Sequence, residues 1–377
     1  MMPINHHLDP LERSGIRVFT NLAKATPDCR MLTIGEPDQA TPEPIRQAAL
    51  EALSRGETHY APNQGTASLR SAIAAFETNR GRPTAPEEVL VTVGATQALY
   101  TALTGILNPG DQVIIPTPAF SLYATIVTAA GAEPVFLDVS KTDFQITEEA
   151  LNACLTEKTK AIVLNSPCNP TGVILRESSL DTVARAVLGR EIYLICDNVY
   201  DKLAYAPCGD LTRREDLRPQ TILCQSFSKP YAMTGWRVGY LICPQTLMER
   251  LLLLSAAEIA AVPTFLQAAA EAALEVDTEP VRLLYRRRRD YVCSRLDRMG
   301  LSYPQPEGAF YVFPDISQFG IPSWQFCERM IWEAGLAAVP GVCFGTEGNI
   351  RLSYCYSDRE LQESLDRLEG FVKRLGE

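Results

Sequence analysis

The feature that most constrains the fold is a series of short, unbroken apolar runs that alternate with stretches of helical spacing. The runs are rich in β-branched residues and lie at 89–93, 112–115, 161–164, 192–196 and 221–224, with a helical pattern over 96–107. Unbroken apolar runs of this length are typical of strands covered on both faces, whereas half-exposed strands alternate apolar and polar residues. We therefore predict an α/β fold, with a mostly parallel sheet flanked by helices.

The pattern changes after about residue 280. A long polar helix is predicted over 282–298, and short strands follow near 309–313 and 350–353. A chain of 377 residues is long for a single core, so the change favours a second, smaller α+β domain. We predict an N-terminal arm and part of the small domain at 1–45, a large domain at 46–280 and a small C-terminal domain at 281–377.

The composition is that of an ordinary soluble globular protein, with 46% apolar and 21% charged residues. The formal net charge of -10 disfavours nucleic acid and anionic membranes as partners. The most apolar stretch, 251–274, is interrupted by Glu258, Pro263 and Glu271, so we predict no membrane span. Eleven cysteines without a CxxC pair indicate a reducing, cytoplasmic location. Because the chain has only three histidines, we predict no metal site.

In the segment 226–239, Lys229 lies between hydroxyl residues, with Ser226 and Ser228 before it and Thr234 after it, and Arg237 follows eight residues further on. Most lysines are solvated surface charges, but this one follows an apolar run and is expected at the end of a buried strand. A buried amine close to other cations loses its proton readily and becomes a nucleophile for carbonyl groups. The hydroxyls and the guanidinium are donors for a phosphate. An amine beside a phosphate site is what an aldehyde cofactor such as pyridoxal 5'-phosphate (PLP) requires.

Further residues of interest stand where other predicted strands end. They are Ala95 and Thr96, Asn169 within the Pro- and Gly-containing segment 165–172, and the pair Asp197 and Tyr200. Each taken singly is compatible with an ordinary turn, a structural salt bridge or core packing. Open parallel sheets bind ligands beyond the carboxyl ends of their strands, so together these residues favour one site. A buried Asp197 needs a cationic partner, and a protonated pyridine nitrogen is one candidate.

These residues together resemble the class I and II aminotransferase family of PLP enzymes, whose fold is shared with aspartate aminotransferase. The resemblance extends over nearly the whole chain. Its most specific parts are the lysine motif and the Asn-Pro-Thr-Gly sequence at 169–172, and further family motifs follow in order at 58–65, 197–200, 340–345 and 350–353. The resemblance implies fold type I and a PLP-dependent aminotransferase, which moves the amino group of an L-amino acid to a 2-oxo acid by a ping-pong mechanism.

The resemblance also implies roles around the cofactor. Lys229 would hold PLP as a Schiff base and shuttle the substrate proton, and Asp197 would keep the pyridine nitrogen protonated. Asn169 and Tyr200 would bind the ring hydroxyl, and Phe120 would stack on the ring. The residues implied to hold the phosphate are Ala95, Thr96, Ser226, Ser228 and Arg237.

The neighbouring subunit and the substrate are implied in the same way. Tyr60 matches a residue that reaches the phosphate of the neighbouring subunit, which implies a homodimer with shared active sites. Arg351 would bind the substrate α-carboxylate bidentately, and Gly35, Asn169 and Ile16 would lie beside the substrate.

The identity of the substrate is less constrained. Some aspartate-specific relatives carry a lysine where this chain has Thr96, which disfavours dicarboxylates, and a partly apolar pocket with Phe120 and Tyr123 favours aromatic or other neutral amino acids. Two other functions remain open. One is a carbon–sulfur β-lyase on the same fold. The other is a PLP-binding regulatory protein, which we expect less, because such proteins carry an extra DNA-binding domain and the family pattern here starts within the first twenty residues.

Overall fold

The computed structural model describes Met2 and residues 4–376. Over these residues the strands are β1 (Arg30–Met31), β2 (Val89–Thr92), β3 (Gln112–Thr117), β4 (Glu133–Asp138), β5 (Thr159–Asn165), β6 (Tyr193–Asp197), β7 (Thr221–Ser226), β8 (Gly239–Ile242), β9 (Tyr311–Val312), β10 (Leu336–Ala337), β11 (Val339–Pro340) and β12 (Ile350–Ser353). The α-helices are α1 (Gly15–Ala25), α2 (Glu43–Ser54), α3 (Ala67–Asn79), α4 (Gly94–Ile106), α5 (Leu122–Ala129), α6 (Glu148–Cys154), α7 (Glu177–Val187), α8 (Gln245–Ile259), α9 (Thr264–Leu274), α10 (Glu279–Arg298), α11 (Ser323–Ala334) and α12 (Asp358–Gly376).

The predicted mostly parallel sheet is confirmed. Seven strands lie in the spatial order β2-β8-β7-β6-β5-β3-β4, and the five from β7 to β4 run parallel to one another. Strand β8 is antiparallel to both of its neighbours. This reversed strand was not predicted, because its short apolar run follows the lysine motif without a turn signal between them.

Apolar side chains pack on both faces of this sheet, as the unbroken runs require. Val163 of β5 and Ile195 of β6 pack with Leu99 of α4 on one face. The neighbouring positions, Ile162 and Leu194, are buried on the other face in a cluster that includes side chains of α7. Full burial of such a side chain is worth about 1.5–3 kcal/mol, which explains why these strands contain no polar face.

The C-terminal part of the chain forms smaller sheets against α10, α11 and α12. Strands β11, β12 and β9 make an antiparallel sheet, and β1 pairs with β10 in parallel. Phe19 of α1 belongs to the same buried cluster as Phe326 of α11 and Phe371 of α12. The N-terminal arm therefore packs on the C-terminal part, while the domain boundaries stay a prediction. None of the helices in the described part of the chain is long and apolar enough to cross a membrane.

Candidate active site

The polar residues at the strand ends meet at one edge of the large sheet. In the parallel register, Asn165 at the end of β5 lies opposite Asp197 at the end of β6, and Asp197 lies opposite Cys224 of β7. The Asn165 side-chain amide donates to the Asp197 carbonyl oxygen at 2.8 Å. The lysine segment begins where β7 ends, so the same edge also carries Lys229.

This edge borders a cavity of about 230 Å³. The cavity is lined by every predicted site residue except one: Ile16, Gly35, Ala95, Thr96, Phe120, Asn169, Asp197, Tyr200, Ser226, Ser228, Lys229, Arg237 and Arg351. The exception is Tyr60, which is 95% exposed and lies on a separate surface beside His59 and Pro263. The structure thus places these residues in one cavity, and their individual roles stay predictions.

Lys229 points its amine into the cavity. Its Nζ donates to the carbonyl oxygen of Gly35 at 2.6 Å. Burial lowers the pKa of the Lys229 amine to about 8, and the charges of Arg351 and Arg237 act in the same direction. An amine with this pKa is neutral in about a tenth of the molecules at pH 7, far more than an ordinary lysine, so it can act as a nucleophile and as a base.

Asp197 is the buried acid of the cavity. It is only 4% exposed, and its Oδ2 accepts a hydrogen bond from the Tyr123 hydroxyl at 2.6 Å. Burial raises the pKa of Asp197 to about 6, although the Tyr123 hydrogen bond favours the ionised form. A carboxylate in this position has no cation in contact with it among the described residues. It is therefore placed to receive a cationic ligand group.

Two tyrosine hydroxyls meet in the wall of the cavity. Tyr200 and Tyr311 are hydrogen-bonded through their hydroxyl oxygens at 2.8 Å, and their rings pack edge to face. Gly35 approaches this pair closely, because a β-carbon at Gly35 would lie 1.8 Å from the Tyr311 hydroxyl oxygen. Glycine is thus needed at this position for the backbone to reach Lys229.

The opposite end of the cavity is suited to an anion. Helix α4 begins at Gly94, and the first N–H groups of a helix have no partner within it. Arg237 lies against this helix start, since a β-carbon at Gly94 would be 2.7 Å from its Nη2. Arg237 itself has a left-handed backbone, with φ of 54°, which costs a non-glycine residue about 1–3 kcal/mol and is typical of functional sites. Ser226 and Ser228 lie beside it in the cavity wall.

Arg351 is almost fully buried at the third side of the cavity. Its Nη1 donates to Oδ1 of Asn169 at 2.8 Å, and its Nη2 donates to the Thr33 carbonyl oxygen. The guanidinium lies 4.5 Å from the ring centroid of Tyr311 and 5.0 Å from that of Phe344. Its Nε is buried without a hydrogen-bond partner among the described residues, so the group keeps a donor for a ligand.

Sequence reasoning did not identify several residues of this site. Tyr123 is predicted only as part of an apolar pocket wall, Asn165 only as the first residue of the polar segment 165–169, and the sequence gives no signal for Tyr311 or Thr33 as site residues. Tyr311 follows Ala309 and Phe310 in an apolar run, and no motif distinguishes it from a core residue. Only the approach of β9 to the strand ends of the large sheet brings its hydroxyl to Tyr200.

Comparison with known proteins extends this description. The family model described as aminotransferase class I and II matches residues 27–368. The chain is 38% identical to a Bacillus subtilis protein named probable N-acetyl-LL-diaminopimelate aminotransferase, over 98% of this chain and 96% of the relative. It is 36% identical to aromatic-amino-acid aminotransferase 2 of Thermococcus litoralis, over 99% of each. The solved structure of Thermus thermophilus aspartate aminotransferase with maleate superposes with a TM-score of 0.93 at 34% identity, covering 98% of this chain and 100% of that one.

Proposed function

The chain belongs to the class I and II aminotransferase family and is an aminotransferase, and from this premise we propose that it uses PLP held in the cavity around Lys229. The observation that carries the proposal is the pairing of a buried amine of lowered pKa with a buried carboxylate of raised pKa in one cavity. Perturbed groups of opposite type in one cleft are typical of active sites.

The residues of the cavity fit this cofactor at both of its ends. Asp197 has no contacting cation among the described residues, and a protonated pyridine nitrogen would supply one. At the other end, the start of α4 and Arg237 form an anion site that suits a phosphate. When bound, PLP supplies an electron sink for the substrate Cα. The protein would hold the ring charge through Asp197 and the phosphate through the residues beside Arg237.

We propose that Lys229 moves the proton of the reaction. Its amine is buried, with a pKa of about 8, so the neutral form that accepts a proton is accessible near neutral pH. The Gly35 carbonyl oxygen, 2.6 Å from Nζ, orients the amine. Asn169 would orient Arg351 toward the substrate through their hydrogen bond, and it would also contact the ring hydroxyl of the cofactor. Tyr200, which is hydrogen-bonded to Tyr311, would contact the same ring hydroxyl.

We propose that Arg351 binds the substrate α-carboxylate and that the substrate side chain is neutral. Of the described residues that line the cavity, four carry a charge: Asp197, Lys229, Arg237 and Arg351. The first three are assigned to the cofactor, which leaves one cation for one carboxylate. The rest of the lining includes the apolar side chains of Ile16, Ile34, Phe120 and Leu122.

The proposal for Lys229 is tested by the Lys229→Ala variant. We expect it to lose the visible absorbance of PLP joined to the lysine and to lose turnover by several orders of magnitude. Lys160→Met is the matched control, because this lysine lies on the ring of Tyr193 at the opposite end of the sheet. Turnover retained by Lys229→Ala would contradict the assignment of the base.

The substrate class is tested by a half-reaction screen. The PLP form is mixed with phenylalanine, leucine, glutamate or aspartate, and conversion to the pyridoxamine form is followed. We expect the neutral amino acids to react faster than aspartate. Faster conversion by aspartate would show that a second cation reaches the substrate, and absence of any conversion would contradict the use of PLP in transamination.

We also propose a homodimer in which Tyr60 reaches the phosphate site of the other copy. In support, the ring is 95% exposed and shares its surface with the apolar residues Ala61 and Phe265, and grouped apolar residues on a surface are typical of interfaces. Finally, we propose a reducing, cytoplasmic location. In support, the eleven cysteines are free thiols, and six of them are buried, including Cys196 and Cys224 in the large sheet.

A further inference from the structure

A cluster of charged side chains surrounds the segment that directly follows Tyr200 in the chain. It consists of Glu77, Arg80, Arg82, Asp201, Lys202 and Asp210, and we call it the Asp201 cluster. Oδ2 of Asp201 accepts hydrogen bonds from Nη2 of Arg80 and Nη2 of Arg82, each at 2.9 Å. None of these side chains lines the cavity, yet Asp201 and Lys202 directly follow Tyr200 in the chain.

Lys202 connects this cluster to the lysine segment. Its Nζ lies 4.0 Å from the ring centroid of Phe76 and 4.6 Å from that of Tyr231, and it donates to the Tyr231 hydroxyl. Tyr231 is only two residues from Lys229 and is itself 2% exposed. One side chain thus ties the segment that carries Tyr200 to the segment that carries Lys229.

A second connection joins the same two segments. The side-chain amide of Gln225 donates to Oδ2 of Asp201 at 2.9 Å, and its Oε1 accepts the backbone N–H of Ser226 at 3.2 Å. Segment 200–202 is therefore held against the lysine segment at both 225–226 and 231. Because the Gln225 connection remains when Lys202 is changed, the fold does not depend on the lysine alone.

We propose that Lys202 is a positioning residue for amino transfer, which holds Tyr200 and Lys229 in register through its contact with Tyr231. The inference rests on the proposed function, since it assumes that Tyr200 and Lys229 act on one cofactor. Positioning matters because a small displacement of a reacting group lowers the rate without weakening substrate binding in proportion. Lys202 itself touches neither the cavity nor its contents.

The protonation of Lys202 adds a signature that a purely structural residue would lack. Burial and the charge of Arg80 lower the pKa of the Lys202 amine to about 7, while Asp201 and Glu77 oppose the shift. The ammonium can only donate to the Tyr231 hydroxyl, whereas the neutral amine can accept from it. The groups that act on this amine from the surrounding elements are Glu77, Arg80, Arg82, Asp201 and Tyr231, and Tyr240 donates to Glu77 behind them. The link therefore changes its hydrogen-bond direction near neutral pH.

The test uses Lys202→Met, which keeps the apolar stem and removes the amine, with Lys160→Met as the control. We expect kcat of the PLP-loaded Lys202→Met enzyme to fall about threefold to a hundredfold, with KM changed less than threefold. We also expect a step near pH 7 in the kcat profile of the wild type, which should be absent from Lys202→Met and present in Lys160→Met.

A second measurement does not depend on activity. Between about pH 7 and pH 10 the unfolded chain binds the Lys202 proton and the folded protein does not, so stability gains with rising pH. Unfolding by urea, with and without PLP, should show that wild type gains stability relative to Lys202→Met over this range. Lys229 titrates in both proteins, so its contribution to stability cancels when the two proteins are compared.

The outcomes separate the two levels of the proposal. An unchanged kcat, or a pH step that persists in Lys202→Met, overturns the role of Lys202 while leaving the proposed function intact. A wild type that neither binds PLP nor transfers amino groups overturns the proposed function instead. If Lys202→Met does not fold, Tyr231→Phe replaces it. We expect the pH step to disappear in that variant, because the Lys202 amine has lost the hydroxyl through which it acts, and a step that persists overturns the inference.

Discussion

Replacement of Asp197 by asparagine should stabilise the protein in the absence of PLP, although it removes a residue of the proposed active site. The folded environment raises the pKa of Asp197 from 3.8 to about 6 because the carboxylate is buried. This difference is about 2 units, and each unit is worth about 1.4 kcal/mol, so the buried charge costs the fold about 3 kcal/mol. Asparagine has nearly the same shape, can accept a hydrogen bond from the Tyr123 hydroxyl and carries no charge.

The assay is thermal unfolding of the two PLP-free proteins between pH 4 and pH 8. An unfolding entropy of about 2.1 cal/mol/K per residue converts about 3 kcal/mol into a rise in Tm of about 4 °C for a chain of this length. The raised pKa of Asp197 also determines how the stability difference changes with pH. The folded wild type holds the Asp197 proton between about pH 4 and pH 6, whereas the unfolded chain has released it. The stability of Asp197→Asn relative to wild type should therefore be unchanged near pH 4 and should reach its full increase above about pH 6.

Added PLP should reverse the order of the two proteins, because only the carboxylate can pair with a protonated pyridine nitrogen. Asp216→Asn is the control, since Asp216 is exposed and its pKa is lowered by the hydrogen bond from Arg214. That variant should not gain stability at pH 8. An Asp197→Asn protein that is less stable than wild type at pH 8, or whose difference from wild type does not change with pH, would refute the desolvation reasoning.

Three further predictions concern the substrate, the tyrosine pair and the dimer. Arg351→Lys loses a bidentate, charge-assisted contact, so KM for the amino acid should rise about tenfold to a hundredfold in steady-state assays while the PLP absorbance is retained; an unchanged KM would contradict the α-carboxylate role. Gly35→Ala places a β-carbon 1.8 Å from the Tyr311 hydroxyl oxygen, so kcat should fall by about tenfold or more, and full activity would show that Tyr311 moves freely. Tyr60→Phe should raise the Kd for PLP about tenfold, measured by absorbance titration, without changing the molecular mass in solution; an unchanged Kd would remove Tyr60 from the phosphate site.

Much of the large sheet could be predicted from the sequence, because a strand buried on both faces leaves an unbroken apolar run. The runs at 161–164 and 192–196 correspond to β5 and β6. Strand β5 begins two residues before its run and ends one residue after it, whereas β6 is shifted by one residue toward the C-terminus. Strand β8 escaped prediction, and so did two-residue strands such as β1 and β10. Strands this short are defined by their partners, and Arg30 pairs with Leu336 across more than 300 residues.

The candidate site shows the same division. Polar residues at the ends of parallel strands must lie at one edge of the sheet, so the sequence sufficed to predict that Asn169, Asp197 and Lys229 share a site. The Tyr200–Tyr311 hydrogen bond and the Lys202–Tyr231 contact could not be predicted in this way, because each joins segments without a common motif.

By itself, the sequence determined the class of fold and the set of chemical groups available: a lysine, a carboxylate, an anion site and an arginine at strand ends. Resemblance then indicated the family, and the family comparison confirmed it. Only the tertiary structure decided how those groups behave. The pKa of Lys229 is near 8 and that of Asp197 near 6 because burial penalises their charged forms, and the depth of burial depends on the whole fold. The same spacing of residues on an exposed surface would carry neither shift.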